Sequence, residues 1–191
     1  ALVHTDELPL LGVHNVANAL FAALAVVLAG ADVEGVRRGL LQAVPLPHRL
    51  EPVAEVDGVL WINDSKATNL ASARSGIGAM ARPTILLLGG RHKGEPYTAL
   101  LPEIEEHVKA VVAYGEAGEL VQADLEGHAR VALVTGSFDE VVEQAAELAS
   151  PGDAVLLSPA CASFDMFRDF EERGERFTEL VRRRQEVPRG A

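Results

Sequence analysis

Apolar positions along the chain follow two different rhythms. From Asn15 onward, Val16, Leu20, Leu24, Val27 and Leu28 recur at helical spacing until Gly30, a residue suited to ending a helix. A second, shorter helix is predicted over Val33 to Ala43, while the irregular stretch before the first carries Pro9 and Gly12. Pro45 and Pro47 interrupt this pattern and mark the best boundary, dividing residues 1–46 from residues 47–191. Short runs follow. Leu50 to Val56 and Val59 to Ile62 predict strands on either side of Asp57-Gly58, a hairpin signal, and Pro52 suits an edge strand. A helix is predicted over Ala67 to Met80. The apolar runs Thr84 to Leu88, Ala110 to Tyr114, Val131 to Val134 and Ala154 to Leu157 then alternate with amphipathic stretches. Those helical stretches are Tyr97 to His107, Ala117 to Leu125 and Phe138 to Ala149. A last helix is predicted from about Ser163 to Arg184, and the tail from Val187 to Ala191 is expected to be disordered.

This alternation predicts an α/β fold: a Rossmann-like, mostly parallel sheet with helices on both faces. In open parallel sheets, ligands bind beyond the carboxyl ends of the strands. Gly89-Gly90 and Ser158-Pro159 stand at two such ends, so a site is expected there.

Composition narrows the classes. With 48% apolar and 24% charged residues the chain is ordinary globular protein. Seventeen basic against 28 acidic side chains give a net charge of -11, which argues against nucleic acid or an anionic membrane surface as the main partner. A small anionic substrate held by a few focused cations remains compatible. The lysines are Lys66, Lys93 and Lys109, and two of them fall in polar clusters. The lone Cys161 permits no internal disulfide and suits a reducing compartment. The longest apolar stretch, Ala19 to Ala31, is shorter than the roughly 20 residues that cross a bilayer. A cytoplasmic protein is expected. Because the first residue is Ala and not Met, the chain is expected to begin inside a longer one.

Asn63-Asp64-Ser65-Lys66-Ala67-Thr68-Asn69 is the densest polar group, set between a strand and a helix. Asp64 and Ser65 are candidate caps for that helix, whose N-terminus favours an anion. Capping accounts for one or two polar residues, not for a run broken only by Ala67. His14, Asn15 and Asn18 share one face at a helix start, and amides both donate and accept, as recognition of a base edge requires. Taken alone, Asn15 as a cap and Asn18 as a solvated side chain is the better account. Arg49 has a planar fork suited to phosphate, or equally to an ion pair with Glu51. In Gly89-Gly90-Arg91-His92-Lys93-Gly94 the glycines permit a sharp turn from which Lys93 projects a cation, and a plain turn is equally consistent. Ser158-Pro159-Ala160-Cys161-Ala162-Ser163-Phe164-Asp165 closes the last strand, with Ser163 as a candidate helix cap that could receive a carboxylate. No His or Asn spacing supports Cys161 as a nucleophile, so a buried structural thiol is expected. Phe164, Phe167 and Phe170 fit core positions at helical spacing.

Four of these stretches, in this order, resemble the Mur ligases. They are Gly12-x-His14-Asn15-x-x-Asn18, Pro47-His48-Arg49-x-Glu51, Asn63 to Asn69 after Trp61-Ile62, and Ser158 to Asp165 followed by Phe167 and Phe170-Glu171-Glu172-Arg173-Gly174. The likeness runs from about Leu10 to Phe177 and is specific to the D-glutamate-adding branch. It implies that residues 1–46 are the end of a central ATP-binding domain and residues 47–191 a Rossmann-like carboxyl-terminal domain. It also implies roles: His14, Asn15, Asn18, Arg49 and Asp64 for ATP, and Thr68, Lys93, Ser163 and Phe170 for D-glutamate, with Asn63, Ser65 and Lys66 in support. The implied bacterial reaction joins D-glutamate to UDP-N-acetylmuramoyl-L-alanine through an acyl phosphate, with ATP and Mg²⁺. Arg91 and His92 depart from the family, which commonly carries an acidic residue in that loop.

No G-x-x-x-x-G-K-[ST] phosphate loop occurs in the 191 residues, nor an evident acidic cluster for Mg²⁺. The resemblance places both, with the UDP-binding domain, upstream in the same enzyme, so this chain alone is expected to be inactive. Two rivals stand beside it: another Mur or folylpolyglutamate-type amide ligase, and a non-catalytic nucleotide-binding α/β module.

Overall fold

A computed structural model describes residues 2–186, the side chains of Val13 and His14 excepted. The His14 assignment and the expectation for the tail from Val187 to Ala191 therefore lie outside the described residues. The chain divides into two compact units, Ala1–Leu46 and Pro47–Ala191.

Helices α1 (Val13–Leu28) and α2 (Val33–Leu41) make up most of the first unit. Gly12, at φ 90°, precedes α1, so Asn15 lies inside the first turn and is not the cap. Its amide instead donates back to the Leu11 carbonyl at 2.8 Å. Gly30, at φ 94°, ends the helix as its spacing suggests: its N–H reaches the Val27 carbonyl while that of Ala31 reaches Val26. Asp32 caps α2 by accepting from the Gly35 N–H at 2.7 Å. The pair buries Ala19, Ala23 and Val36, yet leaves Leu20, Phe21, Leu24 and Leu28 more than half exposed.

In the second unit the strands are β1 (Glu51–Val56), β2 (Val59–Asn63), β3 (Thr84–Gly89), β4 (Val108–Tyr114), β5 (Val131–Val134) and β6 (Ala154–Leu157). Among the described residues they form one sheet in the order β1-β2-β6-β3-β4-β5. β1 pairs antiparallel with β2 and every other pairing is parallel. Asp57 and Gly58, at φ 52° and 76°, supply the two positive angles that a tight hairpin needs. Pro52 lies on the edge strand, where its missing N–H leaves no central ladder broken, and the register shifts beside it.

The helices of this unit are α3 (Leu70–Ile77), α4 (Leu101–His107), α5 (Gly118–Asp124), α6 (Phe138–Leu148) and α7 (Phe170–Glu186), with a 3₁₀ turn at Tyr97–Leu100. Two begin later than the apolar spacing predicts. α3 starts at Leu70 and not Ala67, capped by Asn69, whose side chain accepts from the Ser72 N–H at 2.8 Å. Asp64 and Ser65 are therefore not its caps. α7 starts at Phe170 and not near Ser163, because the Met166 and Phe167 N–H groups close a turn on the Ser163 carbonyl. Ser163 thus caps no long helix.

Strand alternation sorts the core into two layers. Trp61, Ile85, Leu87, Val112, Val155 and Leu157 cluster with Val141, Ala145, Phe177 and Val181 of α6 and α7. The intervening Leu86, Leu88, Val111, Ala113 and Leu156 are just as buried and turn to the opposite face. There α4 packs against β4, and α5 against β3, β4 and β5. Trp61 and Phe177 pack at a tilt of 49° with ring centroids 5.9 Å apart, joining α7 to β2. Phe177→Ala should lower stability by about 3–5 kcal/mol. Urea unfolding followed by the fluorescence of Trp61, the one tryptophan, measures this loss.

Candidate functional site

Parallel pairing decides where the chemistry collects. β6, last in the chain, lies between β2 and β3, with Leu157 opposite both Asn63 and Leu87. The loops that follow β2, β6 and β3 therefore leave the same sheet edge side by side. They carry Asp64 to Asn69, Ser158 to Ser163, and Gly90 to Gly94.

These loops are joined by direct bonds. Arg91 and Ala162 exchange backbone hydrogen bonds of 2.8 and 3.2 Å, tying the Lys93 loop to the Ser163 loop. Ala160, at φ 56°, is a strained non-glycine corner that turns the chain back for this pairing. The Ser158 hydroxyl donates to Asp64 Oδ2 at 2.8 Å, tying the Ser163 loop to the Asn63–Asn69 loop. Gly76 lets α3 pass over that bond, since a Cβ there would stand 2.6 Å from Asp64 Oδ2 and 3.0 Å from Ser158 Oγ.

Asp64 also organises Arg49. Its Oδ1 accepts the Leu50 N–H at 3.2 Å, and the His48 carbonyl accepts the Lys66 N–H at 3.1 Å. His48 and Leu50 both have positive φ, at 62° and 44°. The turn that exposes Arg49 is thus strained backbone held by this network. Among the described residues Arg49 makes no ion pair, and Glu51 accepts instead from the His48 N–H at 2.9 Å. Burial pushes the Asp64 carboxyl up to about 7, against the opposing pull of Ser158, the Leu50 N–H and the Arg49 charge.

The supporting residues settle beside α7. Asn63 is buried, its Oδ1 accepting from the Ser65 N–H and its Nδ2 facing His48, the Gly174 carbonyl and Thr178. The Ser65 hydroxyl donates to the Phe170 carbonyl at 2.8 Å. The Lys66 ammonium lies 5.2 Å from the Phe170 ring centroid. Phe170 is half-buried against His48 and opens α7.

The remaining assignments fall as follows. Thr68 is half-buried and Lys93 exposed, while Ser163 is buried. Asn15 and Asn18 lie in the first unit, where Asn18 is exposed and donates to Asn15 at 3.4 Å. Arg91 is paired bidentately with Glu116 at 2.9 and 3.0 Å, and His92 meets the Tyr97 hydroxyl at 3.1 Å. Both family departures are thereby engaged, whereas Lys93 makes no ion pair among the described residues. Cys161 is buried, as expected; burial raises its thiol, which meets the Tyr97 hydroxyl at 2.8 Å. A cleft of about 500 Å³ lies between Pro47–Glu51 and α7, lined by charges of both signs: Glu51, Glu175, Glu179 and Glu186 with Arg182 and Arg183.

Residues 48–161 match the family described as Mur ligase, glutamate ligase domain. The chain belongs to the Mur ligase family. The UDP-N-acetylmuramoylalanine--D-glutamate ligase of Salinibacter ruber is 44% identical over 181 residues, covering 95% of this chain and 39% of that protein. The enzyme of the same name from Acidobacterium capsulatum is 45% identical over 176 residues, covering 92% and 38%. The chain thus spans about two fifths of the curated relatives it matches. Among solved structures, the UDP-N-acetylmuramate-alanine ligase of Thermotoga maritima superposes with a TM-score of 0.67 at 16% identity, over 92% of this chain and 39% of that one. A folylpolyglutamate synthase from the same organism gives 0.57 at 20% identity, over 80% and 37%. At such identities these structures establish the shared fold.

Reading this Mur ligase domain from residue types alone placed Gly90 and Ser158 at the expected site but gave no role to Arg173, which is fully buried. Its signal was available: Phe170, Arg173, Gly174, Phe177 and Val181 share one helical stripe, and an arginine inside an apolar stripe asks for a reason.

Asp64 yields a pH prediction. With the folded value near 7 against an ordinary 3.8, the folded chain keeps a proton that the unfolded chain releases between about pH 4 and 7. Stability should fall as pH rises through that window and level off above it. The stabilisation conferred by Asp64→Asn, read from urea midpoints, should grow by on the order of 2–4 kcal/mol between pH 4 and pH 8. An equal difference at both pH values would contradict this account of the carboxyl.

Proposed function

We propose that this chain is the carboxyl-terminal, amino-acid-binding part of a bacterial cytoplasmic ATP-dependent ligase that adds D-glutamate to UDP-N-acetylmuramoyl-L-alanine. The observation that carries the proposal is the 44% identity over 95% of the chain to a relative of that name. The adjacency of the three loops supports it, because they bear Thr68, Lys93 and Ser163, and Ser65 ties the first of them to Phe170 at the start of α7. The exposed stripe of Leu20, Phe21, Leu24 and Leu28 on α1 supports reading residues 1–46 as the end of a larger central domain, since lone helices rarely leave such a face bare.

In the proposed reaction ATP converts the alanyl carboxylate to an acyl phosphate. The amine of D-glutamate then displaces phosphate, forming the amide and leaving ADP and phosphate. Residues of this chain contribute position and charge. Lys93, without an ion pair of its own among the described residues, pairs with a carboxylate of D-glutamate. Thr68 and Ser163 supply hydroxyls and Phe170 a wall. On the nucleotide side Arg49 offers its exposed fork to phosphate, and Asn15 and Asn18 offer amides to the base. Asp64 is assigned to the ribose; because both its oxygens already accept internal hydrogen bonds, a ribose hydroxyl must share one of them. Among the described residues no group of three or more His, Cys, Asp or Glu suits a metal ion.

The other Mur ligases and folylpolyglutamate synthases use the same fold, and the choice of amino acid separates them. In the full-length protein, D-glutamate should support ATP consumption where L-glutamate, L-alanine and diaminopimelate do not. Lys93→Ala should raise the KM for D-glutamate about 10- to 100-fold, the loss of one charge-assisted contact, with the KM for ATP changed less than about twofold. Equal losses for both substrates would count against the assignment.

A further inference from the structure

Arg173, in the first turn of α7, is the chain's unusual cation. Its guanidinium is fully buried and, among the described residues, no carboxylate pairs with it. Neutral oxygens serve it instead. Nε donates to Ser65 Oγ at 2.9 Å, Nη2 to the Ser65 carbonyl at 2.8 Å and Nη1 to the Cys161 carbonyl at 3.2 Å. The third loop reaches it through Gly90, at φ 128°. A Cβ there would stand 3.4 Å from Nη1 and 3.0 Å from Cys161 Cβ, and would overlap the Ala162 carbonyl. All three loops of the candidate site therefore close on one side chain.

Burying a charge without a counter-charge is expensive, and a fixed packing contact could be made more cheaply by an apolar side chain. What the guanidinium adds is a rigid fork of five donors and a positive field. Burial raises both the Tyr114 hydroxyl and the Cys161 thiol; the Arg173 charge opposes this at both, joined by Lys93 at Cys161, while Asp165 acts the other way. Arg173 and Lys93 thus act in the same direction on the Cys161 segment.

We infer that Arg173 is a positioning residue for the amino-acid pocket, holding the loops of Thr68, Lys93 and Ser163 in mutual register and lending the pocket positive potential for an anionic substrate. This role rests on the substrate assignment proposed above. Three variants of the full-length protein test it. Arg173→Lys keeps the charge but loses the fork; Arg173→Met loses both; Ser65→Ala removes only the Nε acceptor and the bond to Phe170. Arg173→Lys should raise the KM for D-glutamate at least about tenfold, with the KM for ATP within about twofold and kcat less affected. Ser65→Ala should shift the same constant in the same direction by a few-fold, and Arg173→Met by more than Arg173→Lys. Should Arg173→Met fail to fold, the two milder variants carry the test, with thermal melts showing each folded. Unchanged D-glutamate KM in both, or parallel rises for D-glutamate and ATP, would overturn the role. Lys93→Ala in the same assay separates the two claims. A D-glutamate effect there without one in Arg173→Lys overturns the positioning role alone. Absence of D-glutamate-dependent ATP consumption in the unaltered protein overturns the functional assignment and this role with it.

Discussion

Everything at the candidate site depends on the parallel insertion of β6 between β2 and β3. A parallel ladder aligns carboxyl ends, so three segments far apart in sequence leave the sheet as neighbours. An order that moved β6 away from β3 would separate Lys93 from Ser163 by a strand or more, and one that moved it away from β2 would do the same to Thr68 and Ser163. The ladder brings the backbones close but does not set the side chains. That task falls to polar contacts between the loops: the Arg91–Ala162 pairing, the Ser158–Asp64 bond and the Arg173 fork.

The same contacts explain the shape of the polar cluster. A run such as Asn63 to Asn69 exceeds the needs of a helix cap because most of it looks inward to tertiary partners. Asn63 and Asp64 are buried with their polar atoms engaged, and only the last member, Asn69, caps α3. Internal bonding leaves Lys66 exposed and Thr68 half-buried, with the helix cap Asn69 exposed beside them. In a strongly acidic chain, Arg49, Lys66 and Lys93 on loops beyond the strand ends concentrate positive charge where an anion can use it.

How much of this was legible in the sequence follows from the range of each signal. The parallel strands of the sheet were readable to within a residue or two, since continuous apolar runs are local and β-structure in a buried sheet requires them. The hairpin at Asp57-Gly58, the edge position of Pro52 and the burial of Cys161 were legible for similar reasons. The starts of α2 and α6 fell on the predicted residues, but those of α3 and α7 did not. Ala67 and Ser163 have helix-compatible spacing, but Lys66 bonds to His48 across the domain, and the turn closed by Ser163 delays α7 to Phe170. The bond to His48 joins residues far apart in sequence and leaves no trace in local spacing. Arg173 was harder still, because an arginine in a charged helix is ordinarily solvated and only its place in the apolar stripe speaks against that. The site residues themselves came from motif resemblance; physical spacing alone left Asn15, Arg49 and Lys93 with ordinary structural explanations.

The central claim is that the loops after β2, β3 and β6 form one receptacle for a small dicarboxylic amino acid. Amide hydrogen exchange of the full-length protein, with a non-hydrolysable ATP analogue and UDP-N-acetylmuramoyl-L-alanine present, tests it by the addition of D-glutamate. Slowed exchange appearing together in residues 64–69, 89–94 and 158–170 is the predicted result. Protection confined to the cleft between Pro47–Glu51 and α7, with those three loops unchanged, would contradict it.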